Sequence, residues 1–333
     1  MEGLLKDYGA ELDWSVGSLF CHENSLFGNF GAVTLCREFG CPNPVKWAFG
    51  SLPSPLAGGR IPPFDFSIED ALDILNGNLE NGVACRLTLS NPYVKKSDIA
   101  GDDRNRELMK ALDSVQAGNG KRNGVILVSD ILAEHVKEQY PNLDVILSTI
   151  RTAYDTGYGR KKDTLEWYSK LLENPLYDTV VVNSAKIRED GFLESLPHKE
   201  KVELIACSYC IENCPYAREH YDALHLFNQC IRFGVQGMAK GPQQKIDAVM
   251  EKCLANKRRH PENRSSYTEG EIRRLASLGC RQFKIAGRAN SDSRFERDLF
   301  HYLFNYESAL YCETMLVDPR LILKPAEETQ TQT

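Results

Sequence analysis

Three cysteines stand close together in the second half of the chain. Cys207, Cys210 and Cys214 fall within eight residues, in a C-x2-C-x3-C arrangement that directly follows an apolar run at 202–206. Thiolates close together bind soft metals, and four of them hold a zinc ion or an iron-sulfur cluster. We predict a metal site, with an iron-sulfur cluster as the leading hypothesis and zinc as the alternative. A third interpretation is that these thiols are only structural, because free cysteine is a common small core residue.

The other eight cysteines are scattered along the chain: Cys21, Cys36, Cys41, Cys85, Cys230, Cys253, Cys280 and Cys312. Cys36 and Cys41 have a C-x4-C spacing, but a second pair in the same segment is lacking, so they are a weak metal signal. Eleven cysteines, an odd number, and an acidic N-terminus without a signal-peptide pattern indicate a cytoplasmic protein. In that reducing setting we expect metal-bound or free thiols rather than a disulfide framework.

From residue 46 onward, apolar runs of strand length alternate with amphipathic segments of helix length. Strands are predicted at 47–50, 84–89, 124–128, 144–148, 179–182, 202–206 and 283–286. Helix N-caps are predicted at Ser67, Asp130 and Thr268. Continuous apolar strands separated by helices predict an α/β fold with a parallel sheet, and their number favours a (β/α)8 TIM-like barrel, irregular or incomplete in places, over two Rossmann halves. The cysteine cluster then follows the sixth predicted strand, at an end of the barrel where such folds place their sites.

An eighth strand is not evident in the sequence. The two candidates are residues 32–35 and a degenerate segment within 229–250. We therefore divide the chain into an N-terminal lead-in packed on the barrel (1–45), the barrel itself (46–323) and a tail (324–333). The tail is rich in Thr, Glu and Gln and has no apolar spacing, so it is predicted to be disordered.

Several classes of function lack support in the sequence. The net charge of −6 argues against a broad binding surface for duplex nucleic acid. No uncharged run of about 18 residues predicts a transmembrane helix. Walker A, G-x-G-x-x-G, H-E-x-x-H and G-x-S-x-G motifs are absent, and the spacing of radical S-adenosylmethionine enzymes is reversed here. We expect a small-molecule or peptide substrate, and leave a protein partner subunit open.

Three blocks of sequence resemble the collagenase-like peptidases of unknown catalytic type, family thirty-two of that class. The first runs from Trp47 to Arg60 and contains Gly-Ser-Leu-Pro, the second runs from Cys210 to Tyr221 and contains Cys-Pro-Tyr, and the third runs from Gly279 to Arg288 and contains Phe-Lys-Ile-Ala-Gly-Arg. They occur in the family's order and span most of the chain. The resemblance implies a TIM-like barrel with a four-iron four-sulfur cluster on four cysteines. Its better understood relatives are oxygen-independent hydroxylases that act on a ubiquinone ring precursor or on RNA pyrimidines, with prephenate as a proposed oxygen donor.

The resemblance also implies a set of cluster ligands. Cys210 and Cys214 occupy the family's paired positions, and Cys253 lies where relatives carry a further ligand. Cys207, where relatives more often have a polar residue, completes the predicted set of Cys207, Cys210, Cys214 and Cys253. Cys230 is held in reserve, and Cys280 is expected to be packed at the bottom of the barrel.

Three polar residues are predicted to act beside the cluster. Arg288 and Lys284 have the same parity on the last strand, so they point to the same side. Each is assigned either to an anionic ligand or to an ion pair with an acidic barrel residue, because a buried cation needs a partner. His220 follows the cluster ligands and is predicted to act as an acid/base group or to bond the cluster's surroundings, with a purely structural histidine as the alternative.

These observations leave three hypotheses about function. The leading one is an iron-sulfur enzyme of the hydroxylase type, because it accounts for the thiols, the barrel and the cationic strand end together. The second is a peptidase, on the family name alone, since no nucleophile and base can be assigned from the sequence. The third is a zinc-stapled binding module without catalysis.

Overall fold

The fold is described from a computed structural model of the chain. It describes residues 5–8, 11–17, 19–20, 33–34, 36–58, 66–155, 164–207, 214–232, 240–259, 266–286 and 292–305. The predicted tail at 324–333 lies outside these residues, and so do Cys210 and Arg288. Among the described residues, no helix is long and apolar enough to span a membrane.

Eight parallel strands form a closed barrel in which each strand pairs with its neighbours in sequence, and the last pairs with the first. This confirms the predicted (β/α)8 architecture. The strands are β1 (Asp13–Val16), β2 (Val45–Gly50), β3 (Ala84–Leu89), β4 (Gly124–Leu127), β5 (Asp144–Leu147), β6 (Thr179–Val182), β7 (Val202–Cys207) and β8 (Gln282–Ile285). Their C-terminal ends form one rim of the barrel, called the mouth below.

Helices connect successive strands. They are α1 (Ile68–Glu80), α2 (Lys96–Ala100), α3 (Asp103–Ser114), α4 (Asp130–Gln139), α5 (Ile150–Asp155), α6 (Leu165–Glu173), α7 (Phe192–Ser195), α8 (Ala217–Arg232), α9 (Lys240–Arg259), α10 (Glu269–Ser277) and α11 (Asp292–Leu303). Short 3-10 turns cover Ser184–Arg188 and Lys199–Lys201. The connection from β7 to β8 contains α8, α9 and α10.

Two of the three predicted helix caps are confirmed. The Ser67 hydroxyl accepts a hydrogen bond from the Asp70 backbone N–H. The Thr268 hydroxyl likewise accepts a hydrogen bond from the Glu271 backbone N–H. The Glu271 carboxylate in turn accepts one from the Thr268 backbone N–H, which completes a capping box. The third prediction is wrong by one position: α4 begins at Asp130, and Ser129 precedes it as the cap residue.

The eighth strand is β1, and both predicted positions for it are wrong. Val33 and Thr34 are helical, and the described residues of 229–250 belong to α8 and α9. The strand at Asp13–Val16 lies inside the predicted lead-in, so the barrel starts well before residue 46. It was missed because it is short and because Ser15 faces a polar barrel interior, which removes the continuous apolar run that marks the other strands.

The main hydrophobic core lies between the outer face of the barrel and the helices. Val125, Leu147 and Leu204 belong to it, together with buried side chains of the surrounding helices such as Leu108 and Leu275. Inside the barrel, a separate apolar layer is formed by Phe49, Ile126, Ile146 and Val181, with Ile205 packed against it. Strand residues alternate between these two cores, as expected for strands covered on both faces.

A buried network of charges also lies inside the barrel. The Arg86 guanidinium donates to the Glu203 carboxylate at 2.6 Å, and the Ser15 hydroxyl donates to the same oxygen at 2.7 Å. The Lys284 ammonium lies 3.5 Å from the other Glu203 oxygen. Aromatic rings cover both cations: Arg86 lies over the Trp47 ring at 3.7 Å, and Lys284 over the Phe49 ring at 3.8 Å.

The opposite charges of this network offset the free-energy cost of burying them. Burial by itself would raise the pKa of Glu203, but the Lys284 and Arg86 charges outweigh it and leave that pKa lowered. Burial lowers the pKa of Arg86, and the negative charge of Glu203 partly offsets this shift. Arg86 stays charged, because an arginine keeps its proton at any working pH. Glu203 is therefore an ionised carboxylate that joins strands on opposite sides of the barrel.

We predict that Glu203→Leu strongly destabilises the fold, because it leaves two buried cations without a carboxylate. The expected loss is about 3–5 kcal/mol in the free energy of unfolding, measured by urea denaturation. Glu166→Gln is the matched control, since the ion pair between Glu166 and Lys170 is exposed on α6 and should contribute little. Equal stability of the Glu203→Leu variant and the wild type would contradict the assigned role of the network.

Candidate metal centre and barrel mouth

Two of the predicted cysteine ligands lie side by side in the structure. The sulfur atoms of Cys214 and Cys253 are 3.8 Å apart, although 39 residues separate them in sequence. Cys214 stands just before α8, where its carbonyl accepts a hydrogen bond from the Ala217 backbone N–H. Cys253 lies on α9, which packs against α8, and its side chain is half-buried. The helical hairpin therefore brings the two thiols together.

The pair is chemically suited to a soft metal ion. Zn–S bonds of about 2.3 Å in a tetrahedral site place neighbouring sulfurs roughly 3.8 Å apart, so the observed separation already fits two ligands of one ion. Within the part of the chain that the structure describes, no three His, Cys, Asp or Glu side chains come together as a metal site. Cys210, which is predicted to be a third ligand, lies outside the described residues.

Cys207 is in a different environment. The register of β7 against β8 shifts between Ile205 and Cys207, so the pairing is irregular at the end of the strand. Cys207 belongs to the main hydrophobic core, and its thiol donates to the Asp298 carboxylate on α11 at 3.2 Å. The structure thus does not place Cys207 in a group with Cys214 and Cys253, and its role as a ligand stays a prediction.

The two remaining candidate cysteines differ in their surroundings. Cys230 is partly buried near the end of α8, four turns beyond Cys214. Cys280 precedes β8 at the bottom of the barrel and is fully buried, and this burial raises the pKa of its thiol to about 11. A buried thiol with a raised pKa is a poor metal ligand, so Cys280 is better explained by packing.

Lys284 and His220 are both described, whereas Arg288 is not. For Lys284 the structure provides the ion pair with Glu203, one of the two partners that the sequence left open. His220 is buried on α8, and its ring stacks on Tyr221 at 6.3 Å between centroids. Nothing in the geometry tests an acid/base role for His220, and anion binding by Arg288 likewise stays a prediction.

Helix α8 extends across the mouth of the barrel. Its residue Asp222 accepts hydrogen bonds from the hydroxyl groups of Tyr93 and Tyr154 on the same oxygen, both at 2.8 Å. Tyr93 follows β3 and Tyr154 lies on α5 after β5, whereas α8 follows β7. In a closed ring of eight strands β3 lies opposite β7, so α8 must cross the mouth to make these bonds. We call the three residues the Asp222 clamp.

Further side chains surround the Asp222 clamp. The Arg218 guanidinium lies 4.0 Å from the second Asp222 oxygen and over the Tyr154 ring at 5.4 Å. The His225 ring contacts Tyr93 at 5.4 Å between centroids. Burial, and then the bond to Asp222, raise the pKa values of both tyrosines, so each hydroxyl keeps its proton and acts as a donor. Burial lowers the pKa of His225, which favours its neutral form at pH 7.

The Asp222 clamp is not predicted from the sequence. One available signal was the spacing of Arg218, Asp222 and His225, which puts three polar side chains on one face of α8. Their partners could not be identified in the same way, because Tyr93 and Tyr154 are distant in sequence and meet α8 only through the closed barrel.

Comparisons with known proteins do not assign this chain to a family. No protein-family model matches the chain, and no curated protein matches it. Among solved structures, the chain is similar to that of a U32 peptidase, with 16% sequence identity and a TM-score of 0.40 over 69% of this chain and 81% of that chain. No function of this chain follows from a likeness at that level.

We predict that Asp222→Ala loosens α8 without unfolding the barrel. The substitution removes two hydrogen bonds to a charged group, which should lower the free energy of local opening by about 1–3 kcal/mol. Amide hydrogen exchange should therefore quicken in α8 and stay unchanged in the strands. Asp247→Ala is the control, because among the described residues the Asp247 carboxylate has one hydrogen-bond partner, Gln243 on its own helix. Unchanged exchange in α8 would show that the clamp does not hold the helix.

Proposed function

We propose that this chain is an iron-sulfur enzyme, similar to the oxygen-independent hydroxylases of the collagenase-like peptidase superfamily, that acts on a small molecule or peptide at the barrel mouth. The observation that carries the metal site is the contact between the Cys214 and Cys253 sulfurs at 3.8 Å, whereas the choice of an iron-sulfur cluster rests on the resemblance in sequence. The resemblance in sequence assigns ligand positions to both residues. Their meeting from two separate segments supports a shared metal.

The cluster would be held by Cys210, Cys214 and Cys253, with one further ligand. Cys207 is the predicted fourth ligand, but its thiol would have to leave Asp298. Cys230 on α8 is the reserve. A bound iron-sulfur cluster would supply one-electron chemistry at this end of the barrel.

The protein's own residues would position the substrate and exclude water. The apolar layer of Phe49, Ile126 and Ile146 closes the barrel interior below the mouth. Above it, α8 covers the mouth and is held by the Asp222 clamp. A substrate between these two boundaries would be shielded from solvent, which strengthens electrostatic contacts with it. Arg288 is proposed to bind an anionic group of the substrate there, because its guanidinium matches a carboxylate in shape and charge.

Zinc is the second candidate for the metal, and one observation favours it. The sulfur separation equals the edge of a tetrahedral zinc–thiolate site, whereas a cluster would require the two thiolates to bind different iron atoms. A zinc site of this kind would tie α8 to α9 as a structural element. The peptidase alternative rests on the family resemblance alone.

Metal analysis after anaerobic purification decides between these functions. Brown protein with broad visible absorbance and stoichiometric iron supports the proposal. Colourless protein with one equivalent of zinc would replace it with the zinc-stapled module. Protein without any bound metal would leave only the peptidase alternative, to be tested by peptide hydrolysis.

We predict that Cys214→Ser and Cys253→Ser each abolish iron binding, because a cluster needs all of its thiolates. The variants should also lose thermal stability, since metal binding energy contributes to folding. Cys280→Ser is the matched control and should keep its iron, because this thiol is packed at the other end of the barrel. Iron retained in both Cys214→Ser and Cys253→Ser would refute the assigned site.

A further inference from the structure

Helix α9 has a charge opposite to that of the rest of the chain. Residues 240–259 contain six Lys or Arg and two Asp or Glu, which gives this segment a net charge of +4. The whole chain has −6, so the remaining residues together have −10. A helix this basic on an acidic protein creates a local positive potential that attracts an acidic partner.

Three of these cations form one row along the helix. Lys245, Lys252 and Arg259 are seven residues apart, so they lie on one side of α9 over a length of about 21 Å. All three are exposed. Lys252 pairs with Glu219 of α8 at 2.9 Å, whereas Lys245 and Arg259 have no carboxylate partner among the described residues. We call this row the Lys245 stripe.

The Lys245 stripe lies beside a predicted cluster ligand. Cys253 directly follows Lys252, and its side chain is only partly buried. A protein that contacts the stripe would therefore approach the metal site from the outside, whereas the substrate would enter through the barrel mouth. Separate access for an electron donor and a substrate suits a redox enzyme, because electron transfer requires proximity but no direct contact with the substrate.

We infer that the Lys245 stripe is the docking site for a small acidic electron-carrier protein. The inference rests on the proposed iron-sulfur function. The reduced carrier would give up one electron to the cluster that the cysteines of this chain would hold, with no bond formed or broken. Electron-transfer complexes have small interfaces and are short-lived, and opposite charges on the two partners speed their association.

A nucleic acid suits the stripe less well. Its phosphates continue beyond any single helix, and the net charge of −10 on the other residues repels the parts of a long polyanion that extend past α9. A compact carrier with one acidic patch meets only the stripe. Charge complementarity over about 21 Å thus favours a small protein.

The test uses an acidic [2Fe–2S] ferredoxin as the probe and the metal-loaded full chain. Binding is measured by calorimetry or by interferometry at low salt, and again with added salt. We expect salt-sensitive binding, with the Kd raised roughly tenfold in the Lys245→Glu/Arg259→Glu variant. Lys110→Glu, an exposed lysine on α3, is the control for charge reversal elsewhere and should change the Kd little.

The outcomes separate this inference from the proposed function. Iron is determined in each sample before binding is measured. Iron-loaded protein that does not bind ferredoxin, or that binds it equally well in the stripe variant, overturns the inference and leaves the proposed function standing. Tighter binding of a single-stranded RNA 20-mer than of ferredoxin, lost in the same variant, also overturns it. If the purified protein contains no iron, the proposed function is refuted. Electron transfer to a cluster is then refuted as well, regardless of whether ferredoxin binds.

Discussion

The Glu203 carboxylate inside the barrel constrains the rest of the structure. It is fully buried and is shared by Arg86 of β3, Lys284 of β8 and Ser15 of β1. Any slip of these strands by one residue would turn a charged side chain into the apolar outer core, at a large cost in free energy. The network therefore fixes the register of the strands. The register in turn fixes where each strand ends, and so the positions from which the mouth loops start.

The sequence predicted the regular parts of the fold and missed the parts that depend on closure. Seven strands were predictable because each is a continuous apolar run, whereas Asp13–Val16 has a serine that points to a buried glutamate far along the chain. The cysteine pattern and its resemblance placed Cys214 and Cys253 in one site, and the structure brings their sulfurs together. The orientation of Cys207 was not predictable, because an irregularity in strand pairing leaves no pattern in a single apolar run. The Asp222 clamp was not predictable either, because its three residues lie in the connections after β3, β5 and β7, which are far apart in sequence.

The candidate functional features are concentrated in one connection, between β7 and β8. It contains Cys214, Cys253, the aspartate of the clamp and the basic stripe, while α10 precedes β8 as an ordinary barrel helix does. The helical hairpin of α8 and α9 thus adds the site to a scaffold that is stabilised by its own two cores. The candidate functional features and the two hydrophobic cores thus lie largely in different segments of the chain.

Closure of the barrel by β1 and β8 affects how the chain is made. β1 starts at Asp13 and its partner β8 at Gln282, so a ribosome that adds about 5–20 residues per second needs roughly 15–50 s between them. During this interval β1 has one edge with unpaired backbone groups, a known risk for association with other chains. The first strand of the barrel to be synthesised is thus among the last to obtain both of its neighbours, so its free edge must be protected until β8 has been made.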